Sequence, residues 1–398
     1  MNLQRLFLTT LLYAFSFGLP AQTIPVNSIY TSMKKVADWQ IQTLETHPWK
    51  YPATDWTNGA LYTGMMAWAK MANDDKYIHF LKSIGDSLEW KGGPERFFAD
   101  DYCVGQTWSE LFMVYKDSSM IKPMMGIGDD IIKRPHTESL LWNFDGGLHN
   151  REWAWCDALY MGPPMLAYLS IASGKRKYLD IADKLWWRSA KYLYDPSEQL
   201  MFRDSRYFNQ KEKNGKKVFW SRGNGWVIAG ITRMLQNMPA NYPTRKNYEK
   251  MFKEMAKRIA GLQQPDGTWH ASMLDPESFP VKETSGTAFF TYALTWGINN
   301  GYLSYKDYFP VIHKAWDALQ ECIHEDGKLG FVQVPGASPD KVTFEDTEVY
   351  GVGAYLLAGT ELFKLMYNKD SISSKIIVRN PSDVNRQFEM AEVNWQQL

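Results

Sequence analysis

Cysteine and histidine are scarce in this chain of 398 residues, and neither is arranged as a metal site or a disulfide framework. The three cysteines are Cys103, Cys156 and Cys322, which is too few, and an odd number, for a disulfide-stapled fold. His149 and His270 stand apart, and no His-Glu-x-x-His pattern occurs. We therefore expect no disulfide framework, no metal and no other cofactor.

An excess of charge of either sign is also lacking. The chain has 44 Lys and Arg residues against 44 Asp and Glu residues, so its formal net charge is zero. This balance argues against a surface that binds nucleic acid or another polyanion. Neither a Gly-x-Ser-x-Gly nucleophile motif nor a phosphate-binding loop is present.

A hydrophobic run long enough to cross a membrane is missing as well. The longest apolar stretch, from Leu6 to Leu19, follows Arg5 and precedes a small residue, Ala21. It is short for a membrane span and is typical of a signal peptide, which we place at residues 1–21. No cysteine lies near the cleavage point, so a lipid anchor is not expected. We predict a periplasmic or secreted protein without membrane insertion.

Aromatic residues, by contrast, are abundant. They make up 15% of the chain and include 17 tryptophans. Such rings suit a cleft that binds carbohydrate, where they stack on sugar faces, but they also fill the core of a large helical domain. Both interpretations stay open on composition alone.

Helical periodicity dominates the rest of the sequence, as in the spacing of Leu61, Met65 and Trp68. Similar Asp-containing turns recur at Asp195, Asp266 and Asp326, each followed by an aromatic residue. Repeated helical hairpins over this length favour an all-α fold, an (α/α)6 barrel of helical hairpins over residues 22–370. Residues 371–398 form a polar C-terminal extension, with a short strand expected at 376–378.

One carboxylate, Asp157, lies among aromatic and apolar residues. The segment from Trp153 to Pro164 surrounds it with rings and aliphatic side chains. Burial makes a carboxylate costly to ionise, so Asp157 is a candidate general acid. The alternative is an aspartate that caps a helix beginning near Ala158.

Three further segments combine residues suited to binding and catalysis. Asp100 and Asp101 precede a helix, where each could cap it or point into a cleft. Arg222 begins an Arg-Gly-Asn-Gly-Trp motif, whose cation can hold a carboxylate and whose glycines allow close approach of a ligand. Glu283 begins a Glu-Thr-Ser-Gly segment that reads as a helix start. His149 either binds substrate oxygens or stabilises its loop.

Together these segments resemble glycoside hydrolase family 105, the unsaturated rhamnogalacturonyl hydrolases, and more distantly the unsaturated glucuronyl hydrolases of family 88. The matching parts, between about residues 30 and 368, are residues 100–106, 155–161, 222–226, 283–287 and 353–361. The resemblance implies an (α/α)6 barrel and hydration of the C4=C5 double bond of an unsaturated uronic acid. The implied partner is an unsaturated oligosaccharide, and we expect a monomer or weak dimer.

The resemblance also assigns roles to individual residues. Asp157 would protonate C4, and a second catalytic acid would be Asp100 or Asp101, of which we favour Asp101. Arg222 is the expected cation for the uronate carboxylate. The residues expected to bind substrate are Asp100, Trp155, Arg222, Trp226, His149, Met161, Asn224 and Arg203.

One departure from the family concerns the segment after Phe202. Many members have a histidine there, whereas this chain has Arg203 and Asp204. The leaving sugar therefore stays open between rhamnose, galactose and a sulfated sugar. Two other classes remain as alternatives: another (α/α)6 carbohydrate enzyme, such as a polysaccharide lyase or a sugar epimerase, and a glycan-binding helical-repeat protein.

Overall fold

The computed structural model describes residues 24–143 and 147–373, and helices dominate both ranges. The helices are α1 (Val26–Thr46), α2 (Trp56–Ala69), α3 (Lys76–Ser87), α4 (Gly105–Tyr115), α5 (Lys122–Lys133), α6 (Leu148–Arg151), α7 (Ala158–Ser173), α8 (Lys177–Leu193), α9 (Ser221–Asn237), α10 (Arg245–Ala260), α11 (Thr284–Asn299), α12 (Tyr305–Gln320) and α13 (Val349–Ser373). Two short antiparallel strands, β1 (Tyr194–Asp195) and β2 (Leu200–Met201), pair with each other.

Two classes of helix alternate along the chain. Helices α2, α4, α7, α9, α11 and α13 are buried over most of their length, whereas α1, α3, α5, α8, α10 and α12 each bury one face. A helix with one apolar stripe belongs at the surface of a domain, and one without a polar face belongs inside it. The first set forms an inner ring and the second an outer ring.

The inner ring closes on itself. Each inner helix packs against the next one in the chain, and α13 packs against α2. Glycines make this last contact possible, because a Cβ atom at Gly64 would lie 2.0 Å from the carbonyl oxygen of Gly353. The structure therefore confirms the predicted (α/α)6 barrel.

The repeated turns also share one geometry. Asp195, Asp266 and Asp326 each accept a hydrogen bond from the backbone N–H two residues later, at 2.9, 2.9 and 3.0 Å. An aspartate in this position fixes a tight turn through its own side chain. Each turn follows an outer helix, so the repeat seen in the sequence is a repeat of the helical hairpin.

The inner helices all begin at one end of the barrel, which we call the N-terminal mouth, and end at the far mouth. Among the described helices, none combines the length and the apolar character that a membrane span requires. The predicted signal peptide at 1–21 and the strand expected at 376–378 lie outside the described residues, as does most of the extension.

Candidate active site at the N-terminal mouth

Asp157 lies directly before α7, in a segment that pairs with the chain preceding α9. The Cys156 backbone N–H donates to the Arg203 carbonyl at 2.8 Å, and Trp155 forms a β-bridge with Asp204. The Asp157 carboxylate accepts no capping hydrogen bond from α7. The capping alternative is therefore wrong, because the buried carboxyl group gives α7 no hydrogen bond.

Two side chains contact the Asp157 carboxylate. The Arg203 Nε atom lies 3.7 Å from Oδ2, and the Cys156 thiol donates to the same oxygen at 3.3 Å. Burial raises the pKa of Asp157, while Arg203 and the thiol lower it, and the net effect is a raised pKa. Such a carboxyl group keeps its proton to higher pH than an exposed aspartate does.

Asp100, rather than Asp101, faces Asp157. Burial, followed by the negative charge of Asp157, raises the pKa of Asp100 well above its ordinary value. A third carboxylate, Asp55 at the start of α2, adds to this effect. Asp100 Oδ1 is buried and has no hydrogen-bond partner among the described residues.

The Asp101 carboxylate has a different task. It accepts a hydrogen bond from the Glu95 backbone N–H at 2.5 Å and packs against Gly93, where a Cβ atom would come within 2.5 Å of the carboxyl carbon. The preference for Asp101 as the second acid therefore does not fit the geometry, because this carboxylate orders its own loop.

Arg203 belongs to a group that we call the arginine cluster: Trp142, Arg203, Asp204 and Arg206. The two guanidinium carbons lie 4.5 and 4.3 Å from the centre of the Trp142 ring. The buried Asp204 carboxylate accepts hydrogen bonds from both arginines, at 2.7 Å from Arg203 and 2.8 and 2.9 Å from Arg206. Asp204 thus faces two cations, and one of them, Arg203, also lies beside Asp157.

Arg222 differs from the expectation. Its guanidinium is fully buried and donates to the carbonyl oxygens of Gln333 and Val334, at 2.5 and 2.9 Å. It also lies over the rings of Trp220 and Tyr350. These contacts anchor the loop before α13, so Arg222 reaches Asp157 as a neighbouring charge and Arg203 is the cation in contact.

Asn224 and Trp226 also serve the scaffold. The Asn224 amide accepts from the Met201 N–H at 2.8 Å and donates to the Met201 carbonyl at 3.1 Å, which fixes β2 against α9. Trp226 is fully buried on the barrel axis, with its ring 4.4 Å from that of Phe289 and 4.9 Å from that of Tyr160. Both side chains are fully buried in this structure, although the sequence predicts that they bind substrate.

The remaining predicted binding residues, Trp155, His149 and Met161, are all buried. Trp155 is buried against Phe98 and Trp142, with ring centres 5.6 and 6.5 Å apart. His149 stacks at 4.1 Å on Trp142 and contacts the Asn143 carbonyl. Met161 is buried in the first turn of α7.

The fourth segment of interest caps a helix. Glu283 accepts hydrogen bonds from the backbone N–H groups of Ser285 and Gly286 at 3.1 and 2.7 Å. It also accepts from the Gln333 N–H at 3.3 Å, which ties α11 to the loop that Arg222 anchors. The structural interpretation of Glu283 is confirmed.

Sequence reasoning missed Asp55, Cys156, Trp142, Asp204 and Arg206 as parts of this site. The segment 203–206 did carry a signal, since two arginines surround one aspartate within four residues. Among the residues with described positions, no group of three or more His, Cys, Asp or Glu side chains is placed to hold a metal ion.

Comparisons with known proteins find relatives over most of the chain. The profile of Glycosyl Hydrolase Family 88 matches residues 31–366. An unsaturated 3S-rhamnoglycuronyl hydrolase of Formosa agariphila is 37% identical over 348 residues, which are 85% of this chain and 91% of that protein. A protein of the same name from Alteromonas sp. (strain LOR) is 33% identical over 371 residues, covering 87% and 89% of the two chains.

Solved structures give the same fold. One named as a polysaccharide lyase is 31% identical and superimposes with a TM-score of 0.77, covering 89% of this chain and 99% of that one. The profile match and the two relatives each extend over most of the barrel, including the segments that carry Asp100, Asp157 and Arg203. The chain therefore belongs to glycosyl hydrolase family 88.

Proposed function

We propose that this glycoside hydrolase removes a 4,5-unsaturated uronic acid from the non-reducing end of oligosaccharides that a lyase has produced. The observation that carries the proposal is the buried Asp157 carboxyl group, with a raised pKa and a guanidinium 3.7 Å away. Hydration of an enol ether needs a group that is protonated near neutral pH and can give its proton to carbon. Burial shifts the pKa of Asp157 upward, which is the direction that this role requires.

The chemistry proceeds without attack at the anomeric carbon, unlike ordinary glycosidases with two carboxylates. Asp157 transfers its proton to C4, the C4=C5 double bond is lost, and positive charge develops at C5 and the ring oxygen. A water molecule then adds to C5 and gives a proton back to the Asp157 carboxylate. The hemiketal that results opens by breaking the bond between C5 and the ring oxygen, and the leaving sugar is released from C1.

Arg203 is the residue that we assign to the carboxylate of the uronic acid. Among the described residues its guanidinium donates one hydrogen bond, from Nη1 to Asp204, and so keeps donors for a ligand. Burial and the charge of Asp157 raise the pKa of Asp100 well above its ordinary value, which favours a neutral carboxyl group, and its unpartnered Oδ1 can then donate a hydrogen bond to substrate oxygen. A neutral Asp100 also avoids a second negative charge beside Asp157.

The leaving sugar in this proposal is a sulfated rhamnose. Two relatives that cover most of the chain are named for 3S-rhamnoglycuronyl substrates. The arginine cluster supports an anionic substrate, because it brings the guanidinium groups of Arg203 and Arg206 together on the Trp142 ring, and Arg203 lies beside Asp157. Planar guanidinium groups bind sulfate and carboxylate through paired hydrogen bonds.

A panel of unsaturated disaccharides tests the proposal. The conjugated double bond absorbs ultraviolet light, and hydration removes that absorbance. We expect the fastest loss with the uronate linked to 3-sulfated rhamnose, and slower loss with unsulfated rhamnose or with galactose. Equal rates for all three would contradict the assignment of the leaving sugar but leave the reaction intact.

A polysaccharide lyase is the second candidate, because a solved structure with 31% identity carries that name. A lyase creates the double bond that the hydrolase consumes, so the two activities change the absorbance in opposite directions. An increase on intact polysaccharide, with no loss on the unsaturated disaccharides, would replace the main proposal.

Export to the periplasm or the medium, after removal of residues 1–21, is also part of the proposal, as is a monomer or weak dimer. Support comes from the charged start, the apolar run of Leu6 to Leu19 and Ala21. Cell fractionation followed by N-terminal sequencing should find the protein outside the cytoplasm and beginning at Gln22. A cytoplasmic protein that begins at its first residue would contradict the export proposal.

A further inference from the structure

The far mouth of the barrel holds a second cavity, of about 820 Å³. Its walls come from the later turns of the inner helices, including Tyr168 of α7, Arg233 of α9 and Trp296 of α11. A cavity of this size accommodates a ligand of one to a few sugar rings. None of the residues placed in the candidate active site lines it.

The barrel interior separates the two sites. Tyr168 lies eleven residues after Asp157, which along a helix corresponds to about 16 Å. Between them the Tyr160 and Thr63 hydroxyls form a hydrogen bond at 2.7 Å, and the Gln106 side chain donates to the Tyr160 carbonyl at 2.9 Å. The far cavity is therefore a separate site and not an extension of the active site.

A buried arginine dominates the chemistry of the cavity. Arg233 is only 3% exposed, and it donates from Nε to Gln106 and from Nη2 to Glu110, at 2.5 and 3.0 Å. Nη1 forms no hydrogen bond with any described residue. The guanidinium carbon lies 4.5 Å from the centre of the Tyr168 ring, and Nη1 keeps some contact with solvent, so it can donate to water or to a ligand in the cavity.

The cavity also carries positive charge in excess. Glu110 is the partner of two cations, Lys70 at 2.5 Å and Arg233 at 3.0 Å. At the opposite wall, Lys364 and Glu361 pair at 2.9 Å and compensate each other. One positive charge thus remains unpaired beside Glu110, where it can attract an anionic group.

The neutral side chains near Lys70 and Arg233 in this cavity include amides, tyrosines and a tryptophan, which are suited to binding sugars. Gln236 lies within 3.5 Å of the Tyr168 and Tyr292 hydroxyls, and Asn299 and Trp296 complete this part of the wall. Amides and aromatic rings beside a guanidinium are suited to a sugar that carries an acidic group. We propose that the far cavity is a second, non-catalytic binding site for an anionic saccharide, with a carboxylate or sulfate bound beside Arg233 and Lys70.

Calorimetric titration tests this site with turnover blocked by Asp157→Asn. The ligand is the unsaturated uronate linked to sulfated rhamnose, and we expect two binding sites per chain. Adding Lys70→Gln, which leaves Glu110 and Arg233 as a neutral pair, should weaken one site at least tenfold. Adding Arg203→Gln instead should weaken the other site. The matched control, Lys250→Gln on the exposed face of α10, should leave both sites unchanged.

Other outcomes would overturn the proposal. They are a single site that is lost with Arg203→Gln, or two sites that Lys70→Gln does not alter. Gln236→Leu offers a second variant if Lys70→Gln fails to fold.

A panel of three ligands separates the binding of a carboxylate, a sulfate and a neutral sugar: saturated glucuronate, rhamnose 3-sulfate and methyl rhamnoside. Equal affinity for the neutral sugar would contradict the requirement for an anion. Binding that depends on Lys70 without any hydrolysis by the unmodified protein would reject the proposed function alone.

Discussion

The surroundings of Asp157 shift its pKa in opposite directions. Burial favours the protonated form, and Arg203 together with the Cys156 thiol favours the ionised form. Replacement by asparagine keeps the size and removes the proton donor. We expect Asp157→Asn to lower kcat by about 10³-fold or more, because general acid catalysis contributes about 10²–10⁴-fold. Thermal unfolding should show an unchanged fold, and activity within tenfold of the original would refute the assignment of the acid.

Asp100 and Asp101 form a matched pair of adjacent carboxylates with different surroundings. Asp100 faces Asp157, whereas Asp101 accepts a hydrogen bond from Glu95 in its own loop. Asp100→Ala, which removes the hydrogen-bond donor that we assign to substrate oxygen, should lower kcat/KM by about 10–10²-fold. Asp101→Asn should cost about 1 kcal/mol of stability and less than tenfold in activity. The reverse order in the two variants would restore Asp101 as the second acid.

The Cys156 thiol is one of the groups that lower the pKa of Asp157. The thiol donates to the carboxylate and so lowers the Asp157 pKa, against the larger effect of burial. Removing the donor in Cys156→Ala should raise this pKa, so the alkaline limb of the kcat/KM profile should move to higher pH. A weak hydrogen bond of this kind corresponds to about half a pH unit. Cys156→Ser, which keeps a donor, should return the limb toward its original position, and an unshifted limb in Cys156→Ala would mean that the thiol only packs.

At the scale of elements, the start of α9 determines where Arg203 lies. Asn224 binds both backbone groups of Met201, and β2 continues directly into Phe202 and Arg203. Asn224→Ala should lower stability by about 2–3 kcal/mol through its lost hydrogen bonds and raise KM by displacing Arg203. Denaturant unfolding and steady-state kinetics measure the two effects.

Asn237 at the other end of α9 is the control for this variant. It is equally buried but donates one hydrogen bond, to the Arg233 carbonyl at 2.8 Å, away from the N-terminal mouth. Asn237→Ala should cost about 1 kcal/mol of stability and leave KM unchanged. An equal rise of KM in both variants would mean that Asn224 acts only through overall stability.

The Arg-Gly-Asn-Gly-Trp motif shows where prediction from the sequence ends. The sequence predicts a binding segment here, with a cation for a carboxylate and glycines that allow a ligand to approach. It could not show which way the side chains point. Gly223 leaves room for the Cys156 thiol, since a Cβ atom there would lie 3.1 Å from its sulfur. Gly223 therefore serves packing between the two segments, and substrate binding by Arg222, Asn224 and Trp226 stays a prediction.

The two aspartates illustrate the same limit at shorter range. Both lie in a 3₁₀ helix, Ala99–Tyr102, where successive side chains point about 120° apart. Which of them faces Asp157 depends on how this turn packs, and no local pattern specifies that. The inner and outer helices, by contrast, can be predicted from the sequence. A helix that is buried on all sides is apolar throughout, and a helix that is buried on one side has apolar residues on one face only.

For the molecule as a whole, the contact between α2 and α13 that closes the inner ring has the strictest steric requirement. A Cβ atom at Gly353 would lie 2.2 Å from the Ala60 carbonyl oxygen, so α2 and α13 cannot separate slightly without opening the ring. Gly353→Ala should lower the free energy of unfolding by about 3 kcal/mol or more. Gly126→Ala on α5, where the nearest atom would be 3.6 Å away, should instead stabilise by up to about 1 kcal/mol. Equal effects in both variants would contradict the role of the close helix crossing.

Because α13 is the neighbour of both α2 and α11, the first and last thirds of the chain depend on each other for folding. Tyr350 at the start of α13 stacks at 5.2 Å on Trp56, and the Arg222 guanidinium lies over the Tyr350 ring. This part of the N-terminal mouth is therefore built from segments almost 300 residues apart in the sequence. Contacts between residues this far apart in the sequence form slowly, because the chain loses the entropy of closing a long loop before the contacts stabilise it. During synthesis the enzyme therefore gains Asp157 early but its finished active site only after residue 349 has been added. A chain cut short before that point would contain every acid of the site and still have no barrel to hold them.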